Sequence, residues 1–152
     1  MPSIGDPAPD FELESDAGDR VRLSDLRGQR VVLYFYPKDD TPGCTRQAIA
    51  LRDSWAAIEA TGARLFGISP DDSASHTAFR EKFSLPFTLL ADPGHEAIGP
   101  YDAWVERERD GERFMGLLRS TYIVDEEGAI SHRWRPVDPD EHLSLLTDAL
   151  GA

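Results

Sequence analysis

In residues 30–36, "RVVLYFY", the chain runs apolar from Val31 without a break and stops at Pro37. A run that does not alternate polar with apolar specifies a strand buried on both faces, because neither side can be left to water. Such a strand sits inside a sheet and demands cover above and below. The rest of the chain must therefore supply neighbouring strands and helices.

The patterns on either side supply them. "FELESDAGDRVRLSDL" (11–26) alternates around Asp16-Ala17-Gly18-Asp19 and predicts a β-hairpin. From Thr41 to Gly62 the spacing of Ala48, Leu51, Trp55 and Ile58 predicts a helix. "ARLFGIS" (63–69) reads as a strand, residues 71–85 as a capped helix, "FTLLAD" (87–92) as a strand and residues 95–104 as a short helix broken at Gly99-Pro100. "STYIVDEEGAISHRW" (120–134) predicts a second hairpin across Asp125-Glu126-Glu127-Gly128. Asp138 is placed as the cap of a last helix, with Pro139 at its first position, Glu141 three residues after the cap, and Leu143, Leu145, Leu146 and Leu150 on its apolar face. A β-α-β unit followed by β-β-α is the thioredoxin-like arrangement. The expected fold is a mixed central sheet flanked by helices, with an N-terminal β-hairpin extension. Helical crossovers make the early strands parallel. At 152 residues the chain 1–152 is expected to form one domain.

Composition narrows the function. A net charge of −12 with no cluster of basic residues argues against nucleic-acid and anionic-membrane partners. The longest apolar run is far shorter than the ~20 residues a membrane helix needs. "MPSIGDPAPDFELES" shows neither a basic start nor an apolar core, so no secretory signal is expected. Cys44 is the single cysteine, which excludes an internal disulfide and a multi-cysteine zinc site and suits a reducing cytoplasm. No nucleotide-binding glycine loop occurs, and no cofactor is expected.

The placement of Cys44 carries chemical information. Thr41 precedes a proline and is biased away from the helical region, whereas Pro42 suits the first helical position. Thr41 is then the N-cap and Cys44 the third helical residue, beside unsatisfied amide N–H groups and the positive end of the helix dipole. That setting favours the charged, nucleophilic form of a thiol. Gly43 leaves room for a small molecule, and the Thr41 hydroxyl can donate and accept. On position alone two readings stay open: a nucleophile, or a small hydrophobe at the base of a helix.

A resemblance decides between them. "FYPKDDTPGCT" resembles the Pro-x-x-x-Thr-x-x-Cys active-site segment of the peroxiredoxins, met here by Pro37, Thr41 and Cys44, and is closest in kind to the bacterioferritin comigratory protein (PrxQ) branch. "GDPAPDFEL", "GISPDDSASHTAF", "LPFTLLAD" and "YDAWVERERDGERFMGLLRSTYIVDEEG" resemble the family's other segments in the same order. The resemblance implies that Cys44 is the peroxidatic cysteine, attacking a hydroperoxide O–O bond and becoming sulfenic acid. It implies that Arg119 supplies a fixed positive charge, that Thr41 hydrogen-bonds the peroxide, and that Pro37 shapes and shields the pocket. The backbone N–H groups of Gly43 and Cys44 are implied to bind substrate.

The chain departs from this pattern at Ile49, where many members of the branch carry a resolving cysteine. Reduction of the sulfenic acid is then left to an external thiol: a thioredoxin-like or glutaredoxin-like protein or a low-molecular-weight thiol. A monomer is expected in preference to a dimer. Gln47 stands where glutamate is frequent and is kept out of the catalytic set. His76, His95, His132 and His142 lack metal-ligand spacing and are assigned surface or helix-cap roles. Asp39 and Asp40 are assigned to a solvated turn. Trp104, Phe114, Met115 and Leu117 are read as core packing for the most part, or as an apolar collar near the site. Two rivals are a thiol–disulfide oxidoreductase, which lacks its Cys-x-x-Cys pair here, and a redox-inert module that binds a partner or client protein.

Overall fold

The computed structural model describes residues 2–152. The unbroken apolar run forms β3 (Val31–Phe35), buried at every position. Its side chains divide by alternation. Val31, Leu33 and Phe35 join one apolar cluster, and Val32, Tyr34 and Tyr36 join the other. Two cores separated by a sheet are the consequence of a strand with no polar face.

The N-terminal hairpin is β1 (Glu12–Ser15) with β2 (Arg20–Arg22). Next to β3 in sequence come α1 (Pro42–Asp53), α2 (Trp55–Ala60) and β4 (Arg64–Ser69). They are followed by α3 (Ser73–Phe83), β5 (Thr88–Ala91), β6 (Trp104–Arg109) and β7 (Glu112–Leu117). β8 (Ser120–Val124), β9 (Ile130–Trp134) and α4 (His142–Leu150) complete the chain. The main sheet has the order β2-β1-β5-β4-β3-β8-β9. β3, β4 and β5 are parallel, as their helical crossovers require, while β1 and β8 run antiparallel to their neighbours. This is the thioredoxin-like mixed sheet, with the hairpin added at its β5 edge.

Buried residues of all four α-helices, among them Leu51, Ile58, Phe79 and Leu146, lie in the cluster on the Tyr34 side. The opposite cluster is closed by Ala8, Phe11, Leu23 and the segment Ala97–Ala103. Gly67 on β4 lets Tyr34 lie flat: a Cβ there would fall 2.8 Å from the Tyr34 ring and hydroxyl.

Three expectations need correction, and one element was not anticipated. The single helix over 41–62 is two helices, broken at Ser54. The short helix over 95–104 is a set of separate turns, with Gly99 N–H and Tyr101 N–H each reaching back four residues. Pro100 has no N–H to continue such a run, and the Asp92 carboxylate organises the turns by accepting from the Glu96, Ala97 and Ile98 amides. The last helix starts at His142 and not at Pro139. Asp138 instead closes a preceding turn, accepting from Asp140 N–H and Glu141 N–H. Finally, 104–117 forms an unanticipated two-stranded sheet, β6 with β7, joined by Asp110-Gly111 in left-handed conformations (φ 53° and 79°). Asp-Gly is the preferred chemistry of a tight hairpin turn.

Candidate active site

Cys44 lies where β3 hands over to α1. After Tyr36 the chain is turned by Asp40, which adopts a left-handed φ of 56°, and Thr41 is extended at φ −102° and ψ 156°. Pro42 begins the helix and the Thr45 amide makes the first helical bond to the Thr41 carbonyl at 2.8 Å. Cys44 is therefore the third helical residue, as the sequence predicts. Its own N–H and that of Gly43 have no partner within the helix. The side chain is only 2% exposed.

The Thr41 hydroxyl does not cap α1. It donates to the Lys38 carbonyl at 2.8 Å, which fixes its proton and leaves its lone pairs available to accept from a bound molecule. The turn itself is pinned from beneath by Asp39, which is buried rather than solvated. Its carboxylate accepts from the Tyr36 hydroxyl at 2.5 Å and the Ser75 hydroxyl at 2.7 Å, and lies 2.7 Å from His76 Nδ1. The Asp39 amide donates to Asp71. His76, fully buried, bridges Asp39 and the Leu90 carbonyl, so the surface role assigned to it is wrong. Asp40 does face solvent and pairs with Lys82. With the ligand atoms of Asp39, Asp71 and His76 engaged in this network, its work is to hold the turn.

Arg119 enters from the connection between β7 and β8. Both terminal guanidinium nitrogens stand 3.4 Å from Cys44 Sγ, and Nη1 also donates to Gln47 Oε1 at 2.6 Å. Gly43 eases this approach, since a Cβ there would sit 3.3 Å from Arg119 Nη2 and displace the guanidinium by a few tenths of an ångström. Three of the expected residues, Cys44, Arg119 and Gly43, thus converge: a sulfur, a permanent positive charge on it, and a helix start whose first amides lack partners within the helix.

Sequence reasoning missed the layer behind Arg119. Gln47 is buried one turn after Cys44 and its Nε2 lies 3.0 Å from Nδ1 of His142, the first residue of α4. His142 Nε2 lies 2.8 Å from the Thr121 hydroxyl on β8. His142 is 1% exposed and not a surface cap. Burial, reinforced by the Arg119 charge, pushes its imidazole down to about 3, so the ring is neutral at ordinary pH. Its proximity to the start of a helix was visible, but its partners come from two other elements. His95 packs at a tilt against Trp104 and His132 stacks on Trp134, and both histidines are half-buried.

Pro37 lines a groove of about 400 Å³ with Pro70, Trp104, Phe114 and Leu117. Leu117 is core and Trp104 packs against that core, but Phe114 and Met115 are exposed. Trp104 and Phe114, on the β6–β7 hairpin, line this groove together with the charged Lys38, Arg107, Glu108 and Arg109, and it shares Pro37 with the expected site.

A thioredoxin-like sheet that presents one cysteine at a helix start, under a guanidinium, defines a protein of thiol redox chemistry. Residues 4–133 match the AhpC/TSA family, and the chain belongs to that family. It is 44% identical to peroxiredoxin Bcp of Bacillus subtilis over 147 residues, covering 97% of this chain and 94% of that protein. The structure of the Xanthomonas campestris bacterioferritin comigratory protein, studied for its alkyl peroxide reduction activity, matches with a TM-score of 0.88. It has 30% identity and covers 93% of this chain and 90% of that one. A cysteine-to-serine variant of Xylella fastidiosa PrxQ gives a TM-score of 0.93 at 28% identity, covering 99% and 96%.

Proposed function

We propose that this chain is a one-cysteine, thiol-dependent peroxidase acting on hydrogen peroxide and organic hydroperoxides through Cys44. The observation that carries the reading is the double approach of the Arg119 guanidinium to the Cys44 sulfur, both nitrogens at 3.4 Å. Membership of the AhpC/TSA family and the names of its peroxiredoxin relatives support it. A module without redox chemistry has no use for a cation aimed at a buried thiol, and the arrangement makes sense if negative charge forms there.

In the first step the Cys44 thiolate attacks the distal oxygen of ROOH. The S–O bond forms and the O–O bond breaks. RO⁻ leaves and takes a proton from water, giving ROH, while the sulfur keeps an OH as sulfenic acid. Arg119 and the Gly43 and Cys44 amides stabilise charge as it moves from sulfur to the leaving oxygen, the kind of fixed-donor stabilisation that dominates many reactions. Thr41, its own proton committed to Lys38, accepts the peroxide O–H and orients the molecule. Pro37 shapes the pocket, and the groove that it lines with Trp104 and Phe114 takes the R group of a larger hydroperoxide.

In the second step an external thiol attacks the sulfenic sulfur and expels water, and a second thiol releases the mixed disulfide. Ile49 makes this outside help obligatory, because the chain has no second cysteine. A lone reactive thiol suits a reducing compartment, which favours the cytoplasm, and our reading of the oligomeric state is a monomer. Among the described residues no helix is long and apolar enough to cross a membrane. Peroxide consumption driven by a thioredoxin system, a glutaredoxin system or a small thiol tests the cycle. Turnover with at least one of them, abolished by Cys44→Ser, is expected; no turnover with any would overturn the two-step cycle.

A further inference from the structure

Arg119 has only donors, so the Gln47 atom that it meets at 2.6 Å is the carbonyl oxygen Oε1. This fixes the amide: its NH₂ faces His142 Nδ1 at 3.0 Å. A hydrogen bond there requires a lone pair on Nδ1, so the ring proton sits on Nε2 and is donated to the Thr121 hydroxyl at 2.8 Å. Every direction in the chain Arg119 to Gln47 to His142 to Thr121 follows from the one group that can only give. The ring is held in place by Tyr34, whose centroid lies 5.4 Å away.

If Nδ1 carried a proton, two donors would face each other, and Gln47 could satisfy His142 only by turning its NH₂ toward the guanidinium. Arg119 would then lose the bond that holds it over the sulfur. We propose that His142 is a positioning residue of the peroxidase site: as a neutral imidazole protonated on Nε2, it locks the Gln47 amide so that Oε1 anchors Arg119 against Cys44. The inference rests on the peroxidase reading for its consequence but not for its geometry. It also gives Gln47 a defined task. A glutamate at that position can only accept, and it would reverse the demand on His142 by requiring a proton on Nδ1.

Two measurements on the reduced protein test this. Nitrogen NMR of the histidine rings should show His142 with Nε2 protonated and Nδ1 bare, and Gln47→Glu should place a proton on Nδ1; a purely space-filling histidine would not respond. Observation of the Nδ1–H tautomer in the unaltered protein, or of no change in Gln47→Glu, would overturn the proposal. The unaltered protein's tautomer remains readable even if a variant fails to fold. In parallel, stopped-flow oxidation of Cys44 by hydrogen peroxide should slow about tenfold in His142→Leu, the weight of one net hydrogen bond. His142→Asn, whose Oδ1 falls near the place of Nδ1, should recover most of that loss. Equal rates in Leu and Asn variants would overturn the positioning role. If the unaltered protein does not react with peroxide, the peroxidase reading fails by itself, and the tautomer result still decides whether His142 sets the amide.

Discussion

Replacement of Arg119 isolates the interaction on which the chemistry depends. A full negative charge 3.4 Å from the guanidinium interacts with it by about 5 kcal/mol at an effective dielectric of 20. Only the part that is stronger in the transition state accelerates oxidation. Loss of one preorganised donor at such a site typically costs about 10²–10³-fold, or roughly 3–4 kcal/mol. Arg119→Ala should therefore slow the reaction of Cys44 with hydrogen peroxide by about 10²–10³-fold. Arg119→Lys restores charge but not the fork that reaches Cys44 and Gln47 together, and it should recover only part of the loss. The assay is stopped-flow tryptophan fluorescence after mixing reduced protein with peroxide, with circular dichroism to confirm that the variants stay folded. A rate for Arg119→Ala within about threefold of the unaltered protein would refute the electrostatic reasoning, since so small a change is under 1 kcal/mol.

Two further outcomes follow from the geometry around that pair. The Phe114 ring forms an exposed wall of the groove beside Pro37, so Phe114→Ala should lower kcat/KM for a bulky alkyl hydroperoxide and leave hydrogen peroxide unaffected; equal losses for both would remove the groove from substrate selection. His142, held down to about 3 in the fold against about 6.5 when unfolded, binds its proton more readily in the unfolded chain. Its stabilising contribution is complete above pH ~6.5 and is lost toward pH ~3 at up to about 1.4 kcal/mol per pH unit. The charged and titratable groups facing it from other elements are Arg119, which opposes its protonation, and Tyr34, beside the uncharged Gln47 and Thr121. Urea midpoints of the unaltered protein should therefore fall more steeply with acid than those of His142→Asn, and parallel slopes would contradict the burial argument.

What could be read from the chain depended on the range of the physics involved. β3 was legible because burial on both faces writes itself as an unbroken apolar run. Cys44 was legible as the third helical residue because Thr41-Pro42 is a local signal that needs no partner. Arg119 was different: it lies 75 residues from Cys44, and only the resemblance to the peroxiredoxins paired them. Gln47 and His142, 95 residues apart, escaped because an amide and an imidazole on helices look like surface until the sheet brings α1, β8 and α4 together. Asp39 escaped for the same reason, its burial coming from Tyr36, Ser75 and His76 on other elements. The β6–β7 hairpin was missed because much of it faces solvent and lacks an alternating apolar pattern. Its one usable sign was Asp110-Gly111. The early start predicted for α4 came from a capping pattern at Asp138 that the protein spends on a turn.

Everything proposed for the site requires Cys44 to be a peroxide-reactive nucleophile. Intact mass after brief exposure of the reduced protein to equimolar hydrogen peroxide tests it directly, with Cys44→Ser alongside. Rapid gain of one oxygen is expected in the unaltered protein, none in the variant, with reversal by added thiol. Slow or absent oxidation of Cys44, or the same gain in Cys44→Ser, would contradict it.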